Sequence, residues 1–261
     1  MSTPQNPLSA VIEMVSTRGH PKESSDQEFS PSRSTPSRAR SAKAEPWAHT
    51  PSKLAIGWLF VSLPLVIWDA GYVMLRPLSM PGGSLHWPLW APYELYGKVD
   101  YIYGWKAFYE KNGFPGAQTF LNIVETLMYL YYLYILFAFG RQSKAQGRGA
   151  PKPSSVGFLG EQRYVNGPRG AIAVMVGYSA AVMTFSKTLL YWLNEYYSGF
   201  ENIGHNSAQD LIFLWIIPNA AWLVLPSYMI YMTGSEILQG LKIAGGGAVG
   251  SPGETGLIKA E

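Results

Sequence analysis

Four stretches of about twenty mostly apolar residues dominate this sequence, and that is the length a helix needs to cross a bilayer. They run Leu54–Met74, Phe120–Gly140, Ala171–Leu193 and Leu211–Met232. Helix is the form expected of all of them, because lipid offers no partner for an unpaired backbone N–H or C=O. The mean hydropathy of +0.02 hides the pattern, since it averages the spans with polar ends and loops. The expected fold class is an all-α integral membrane protein, a four-transmembrane-helix bundle with an intramembrane pocket. Trp58, Trp192 and the many tyrosines near the span ends suit interfacial belts.

Lysine and arginine orient the bundle. Arg18, Lys22, Arg33, Arg38, Arg40, Lys43 and Lys53 precede the first span, and Arg141, Lys144, Arg148, Lys152, Arg163 and Arg169 separate the second from the third. The connection between spans three and four carries only acids, Glu195, Glu201 and Asp210. The positive-inside rule therefore puts both termini and the middle loop in the cytosol. The 75–119 connection faces the lumen or exterior, against the pull of its Arg76, Lys98, Lys106 and Lys111. Its Pro81-Gly82-Gly83 turn and Trp87-Pro88-Leu89-Trp90-Ala91-Pro92 run predict an ordered aromatic cap, either closing a pocket mouth or serving as a plain interfacial anchor.

The chain divides into a disordered cytosolic tail over 1–53, a transmembrane domain over 54–235 and a flexible cytosolic tail over 236–261. The first tail, rich in Ser, Pro and charge, buries too little apolar surface to offset chain entropy. Its Ala10-Val11-Ile12 is too short for the apolar stretch of a signal peptide. With no cysteine, disulfides and thiolate metal sites are excluded. The net charge of +3 forms no aromatic-interleaved basic patch, so no nucleic-acid partner is expected. His86 and His205 fall in loops with no second histidine beside them, and neither a metal nor another cofactor is expected.

Ionisable residues inside hydrocarbon cost about 2.5–3.5 kcal/mol each on insertion scales, yet the first three spans contain Asp69, Glu125 and Lys187. At the helical rise, each lies roughly 5–8 Å to the luminal side of its span's midpoint, and Asn219 of span four falls in the same leaflet. Asn122, Glu125, Tyr129 and Tyr132 share one face of span two. Thr184, Lys187, Tyr191 and Asn194 repeat the spacing on span three, and Trp215, Asn219, Trp222 and Pro226 form a stripe on span four. Span one adds Ser62, Asp69 and Tyr72. Such stripes turn inward, toward a common cavity. The plainest explanation is a buried ion pair of Lys187 with Asp69 or Glu125 that serves packing alone. Two carboxylates against one lysine leave one acid over, however, and an unpaired carboxylic acid in an aromatic pocket is a proton donor.

Tyr96-x-Lys98-x-Asp100-x-x-Tyr103, then Glu125, then Asn219-Ala220-Ala221-Trp222-Leu223-Val224-Leu225-Pro226 occur in the order seen in the emopamil-binding protein (EXPERA) family of sterol isomerases and sterol-binding proteins, which the chain resembles over about 54–235. Tyr191-Trp192-Leu193-Asn194-Glu195 with Gly199-Phe200 and Gly204-His205 resembles that family's connection between helices three and four. The resemblance implies an endoplasmic reticulum membrane protein that protonates a ring alkene, stabilises the cation on a tryptophan and takes a proton from another carbon. It maps the catalytic roles onto Asp69, Glu125, Asn219 and Trp222. The family's histidine one turn before the first-span acid is Leu65 here, its threonine after the second-span acid is Met128, and the arginine of its Asp-x-Arg-Tyr motif is Ile102. Lys187 has no counterpart.

The residues themselves fit proton-initiated chemistry on an apolar polycycle or polyene. Glu125 is the expected acid, Asp69 the base or the orienter of Lys187, and Asn219 a hydrogen-bonding partner of Glu125, although a coupled pair of carboxylates titrates as a unit. Trp222 and Trp215 offer ring faces to a cation. Tyr72, Asn122, Tyr129, Thr184, Lys187, Tyr191 and Trp215 are expected to bind the substrate, a sterol or other isoprenoid. The bilayer is the other partner, and a homodimer is one possible assembly. The expected function is that of an isomerase or cyclase. Two other readings are a non-catalytic sterol-binding or trafficking protein, as in the sigma-two receptor branch of the family, and a proton-coupled transporter. Four spans without an internal repeat suit the last poorly.

Overall fold

A computed structural model describes residues 47–142 and 163–246 of the chain. In chain order the elements are β1 (Ala48–His49), α1 (Lys53–Met74), α2 (Pro92–Val99), α3 (Trp105–Tyr109), α4 (Phe114–Phe139), β2 (Arg141–Gln142), β3 (Arg163–Asn166), α5 (Gly167–Tyr197) and α6 (Ala208–Ala244). Helices α1, α4, α5 and α6 are long and apolar enough to cross a membrane. The protein is an all-α membrane bundle with one small sheet.

Each of the four apolar windows became a helix, and all four helices begin before their windows, α1 by a single residue. Helix α4 starts at Phe114 with Pro115 in its first turn, and α5 starts at Gly167 with Pro168 there, positions where a missing N–H costs nothing. Helix α6 opens with a π-helical stretch, Leu211–Ile216, just before Pro218. Helices are held close by small residues: Ala173, Gly177 and Ala181 of α5 fall at four-residue intervals, and a Cβ on Gly177 would lie 3.0 Å from the Tyr132 ring of α4. Hydroxyls within the spans bond back to their own helix, as Thr184 does to Ala180 O at 2.9 Å and Thr233 to Met229 O at 2.6 Å. Outward faces carry exposed large apolar side chains such as Phe60, Leu127, Leu190, Phe213 and Val224, the surface lipid requires.

Both expected tail boundaries need correction. Residues 47–53 belong to the fold: β1 pairs antiparallel with β3, which also pairs with β2, in the order β1-β3-β2. Likewise α6 continues through the expected tail as far as Ala244, with Glu236 buried. The two corrections have one cause. His49 Nδ1 bonds Glu236 Oε2, Thr50 N donates to Glu236 Oε1 at 3.2 Å, and His49 Nε2 meets Tyr132 Oη at 3.0 Å. Polar groups buried from water must find such partners, so the two segments order each other. Ser52 caps α1 by accepting from Leu54 N at 3.1 Å and bonds Tyr228 Oη at 2.8 Å. The rest of both tails, and the greater part of the middle loop, lie outside the described residues.

Candidate functional site

A cavity of about 390 Å³ lies at the other end of the bundle, between α1, α4, α5 and α6 and bounded by α2. That volume is within the range of small-molecule sites. The 75–113 connection, rather than being a simple surface anchor, supplies Pro92, Tyr93, Leu95, Tyr96, Val99 and Tyr103 to the wall. Three of its basic residues have partners: Arg76 donates to Ile102 O at 3.2 Å, Lys98 pairs with Glu94 at 3.2 Å and Lys106 with Glu201 at 2.6 Å. The last of these joins the cap to the 198–207 connection. His205, stacked on Tyr101 at 3.9 Å and bonded to Lys98 O, makes a second link.

Of the residues singled out in the sequence, Asp69, Asn122, Lys187, Tyr191, Asn219 and Trp222 line the cavity. Asp69 accepts from Tyr93 Oη at 2.6 Å and, at 3.5 Å, from the Asn122 amide. Lys187 donates to Asn122 Oδ1, and its ammonium lies 3.3 Å from Glu125 Oε2. One polar chain thus runs Tyr93–Asp69–Asn122–Lys187–Glu125. The lysine's ion-pair partner is Glu125; Asp69 reaches it only through Asn122.

The remaining sequence candidates sit behind this wall. Glu125 is 3% exposed and does not border the cavity. Tyr129 and Thr184 bond each other at 3.0 Å, also away from the cavity. Tyr72 stacks on Tyr93 with ring centroids 3.8 Å apart and donates to Tyr103 O. Trp215 turns its indole N–H to Asp100 at 3.0 Å, so its expected role as a cavity ring face does not match its position. Asn219 was expected to bond Glu125; its amide instead donates to Trp215 O at 2.8 Å, at the wide turn before Pro218, and approaches Tyr96 Oη at 3.5 Å. Trp222 lines the cavity and packs edge-on against Trp58.

Sequence reasoning missed four aromatic wall residues, Trp68, Tyr93, Tyr96 and Tyr103, as site residues. The signal was the length of the first connection and the helical interval from Tyr93 to Tyr96. It also missed the importance of Asp100, which is fully buried and accepts from Ile102 N at 2.9 Å, from Trp215 and from Tyr191. Burial pushes the Asp100 carboxyl up to about 6, against the pull of the hydrogen bonds from Tyr191, Ile102 N and Trp215. Burial and the neighbouring Asp69 charge hold the Tyr93 phenol well above its ordinary range, so it stays a proton-bearing donor. Among the described residues no cluster of three or more His, Asp or Glu could hold a metal ion.

In chemical terms, the wall presents one carboxyl with a phenol donor, one lysine neutralised by a carboxylate behind it, and several aromatic faces. Such a set can transfer a proton to and from carbon. Compared with known proteins, the chain matches no family model, no curated protein and no solved structure.

Proposed function

We propose that this protein is a membrane-embedded isomerase of a sterol or other isoprenoid lipid, which shifts a double bond or closes a ring by protonating and deprotonating carbon. The observation that carries this reading is the Asp69–Tyr93 pair on the wall of an aromatic cavity within membrane helices. In the reaction, the Asp69 carboxylic acid adds its proton to one alkene carbon, leaving a cation on the other. The Tyr93 hydrogen bond stabilises the carboxylate that remains. Trp222, Trp68 and Tyr96 offer ring faces to the cation, each contact contributing about 2 kcal/mol when desolvated. Loss of a proton from a neighbouring carbon to the carboxylate regenerates the acid and gives the shifted alkene, with no oxidant or reductant consumed. Glu125, behind Lys187, fixes the lysine rather than meeting the substrate.

We place both termini in the cytosol on the strength of the lysine and arginine distribution, and the protein in the endoplasmic reticulum membrane because the family it resembles implies it. A cysteine introduced at Ser198 is then labelled only from the lumen. The test of function is isotopic. Membranes containing the protein, incubated in heavy water with their native lipids, yield a product carrying one non-exchangeable deuterium. Asp69→Asn lowers the labelling rate by about 10²–10⁴-fold. A second reading, non-catalytic sterol binding, is favoured by Leu65, an aliphatic wall residue where the resembled family has its catalytic histidine. Tight sterol binding with no deuterium in any recovered lipid would establish it in place of the isomerase.

A further inference from the structure

Lys187 is the one charged side chain on the cavity wall, among the described residues, that proton transfer by Asp69 leaves unused. Its side chain is 6% exposed, and an ammonium carries three donors. Among the described residues it has two partners, Asn122 Oδ1 and Glu125 Oε2. At least one N–H is left on a buried cation at the cavity wall, and a donor in that position costs free energy unless something accepts from it. Glu125 neutralises the lysine's charge, so the group meets the cavity as a directed hydrogen-bond donor and exerts little long-range field on a cation formed elsewhere in the site.

From this we infer that the lipid bound here carries a carbonyl oxygen, which seats on the Lys187 ammonium. The inference rests on the reading of the cavity as an isoprenoid site and deepens it. An acceptor-only group matches a donor-only one. A hydroxyl must also give its proton, and the acceptor beside the ammonium, Asn122 Oδ1, already takes a hydrogen bond from the lysine. The opposite wall is apolar, with Leu65, Leu214, Pro218 and Trp222, and accepts the hydrocarbon body. Asp69 joins the lysine through the single Asn122 side chain.

The experiment compares three probes of one skeleton, cholest-4-en-3-one, cholest-4-en-3β-ol and cholest-4-ene, binding to the full chain in lipid nanodiscs. The expected result is that the ketone binds about 10- to 100-fold more tightly than the hydrocarbon, the increment of a hydrogen bond to a charged donor. The alcohol falls between them, and Lys187→Met paired with Glu125→Leu, which leaves no stranded charge, removes the ketone's advantage. A measurement on the unaltered protein stands beside it: the infrared carbonyl stretch of the carbon-13-labelled ketone shifts to lower frequency on binding than in an apolar solvent. Equal binding of ketone and hydrocarbon, an alcohol preferred over the ketone, an unshifted stretch, or no binding by any probe overturns the inference. Turnover plays no part in these readings. A ketone preference without deuterium labelling therefore sinks the isomerase alone, and labelling without a ketone preference sinks the carbonyl alone.

Discussion

Two buried polar clusters sit at opposite ends of the same bundle and differ in what they leave open. At the sheet end, both carboxylate oxygens of Glu236 are bonded, to His49 and Thr50 N, and both nitrogens of His49 are engaged, the second with Tyr132. At the cap end, Asp69, Asn122 and Lys187 are bonded to one another yet face a cavity of about 390 Å³. Burial of polar groups is therefore no sign of function by itself. The closed cluster is a clasp that joins β1 to the end of α6, whereas the open one presents its groups to the cavity.

The largest expected effect breaks the cap-end ion pair. Lys187→Met alone strands the Glu125 carboxylate and lowers stability in detergent by about 3–5 kcal/mol, whereas adding Glu125→Leu restores most of the loss. Equal losses in the single and double variants would mean that the two side chains do not interact. At the other end, Glu236→Ala leaves His49 and Thr50 N without their acceptor and costs about 2–4 kcal/mol, with ligand binding at the cavity unchanged in the protein that remains folded. Weakened binding there would erase the division between clasp and site.

A pH prediction follows from Asp100, which lies in the cap outside the spans. Its folded pKa of about 6 stands above the ordinary 3.8, so its protonated form is the better folded one. The stability it contributes is fully present below pH 3.8 and is lost as pH rises through 6. Between pH 7 and pH 4 the protein gains about 2–3 kcal/mol from this group, and Asp100→Asn flattens that slope. A melting temperature that falls on acidification in the wild type and is unaltered in slope by the variant would contradict the assignment. The smallest effect is at Ser52: its replacement by alanine removes a cap of α1 and costs about 1 kcal/mol by chemical unfolding.

The spans were legible because lipid imposes its requirement residue by residue, so each window of apolar sequence became a helix. The depth of Asp69, Glu125 and Lys187 was legible for the same reason. Which of them meet was not, because the contact depends on how each helix is rotated about its axis: Glu125 turned toward Lys187 and away from the cavity, while Asp69 turned to Tyr93. The clasp was hidden more deeply. His49 and Glu236 are 187 positions apart, in segments whose composition matches solvated tails, and no local periodicity joins them. The cap tyrosines lay between, since Tyr96 and Tyr103 stood within a motif that marked the region without assigning the residues to a wall.

The central claim is that proton chemistry belongs to the open cluster alone. The measurement that tests it most directly is deuterium incorporation from heavy water into lipid by the wild type, by Asp69→Asn and by Glu236→Gln, each normalised to folded protein. The account predicts one deuterium per product in the wild type and in Glu236→Gln, and a loss of about 10²–10⁴-fold in Asp69→Asn. Label that survives in Asp69→Asn, or that vanishes in Glu236→Gln with the fold intact, would contradict it.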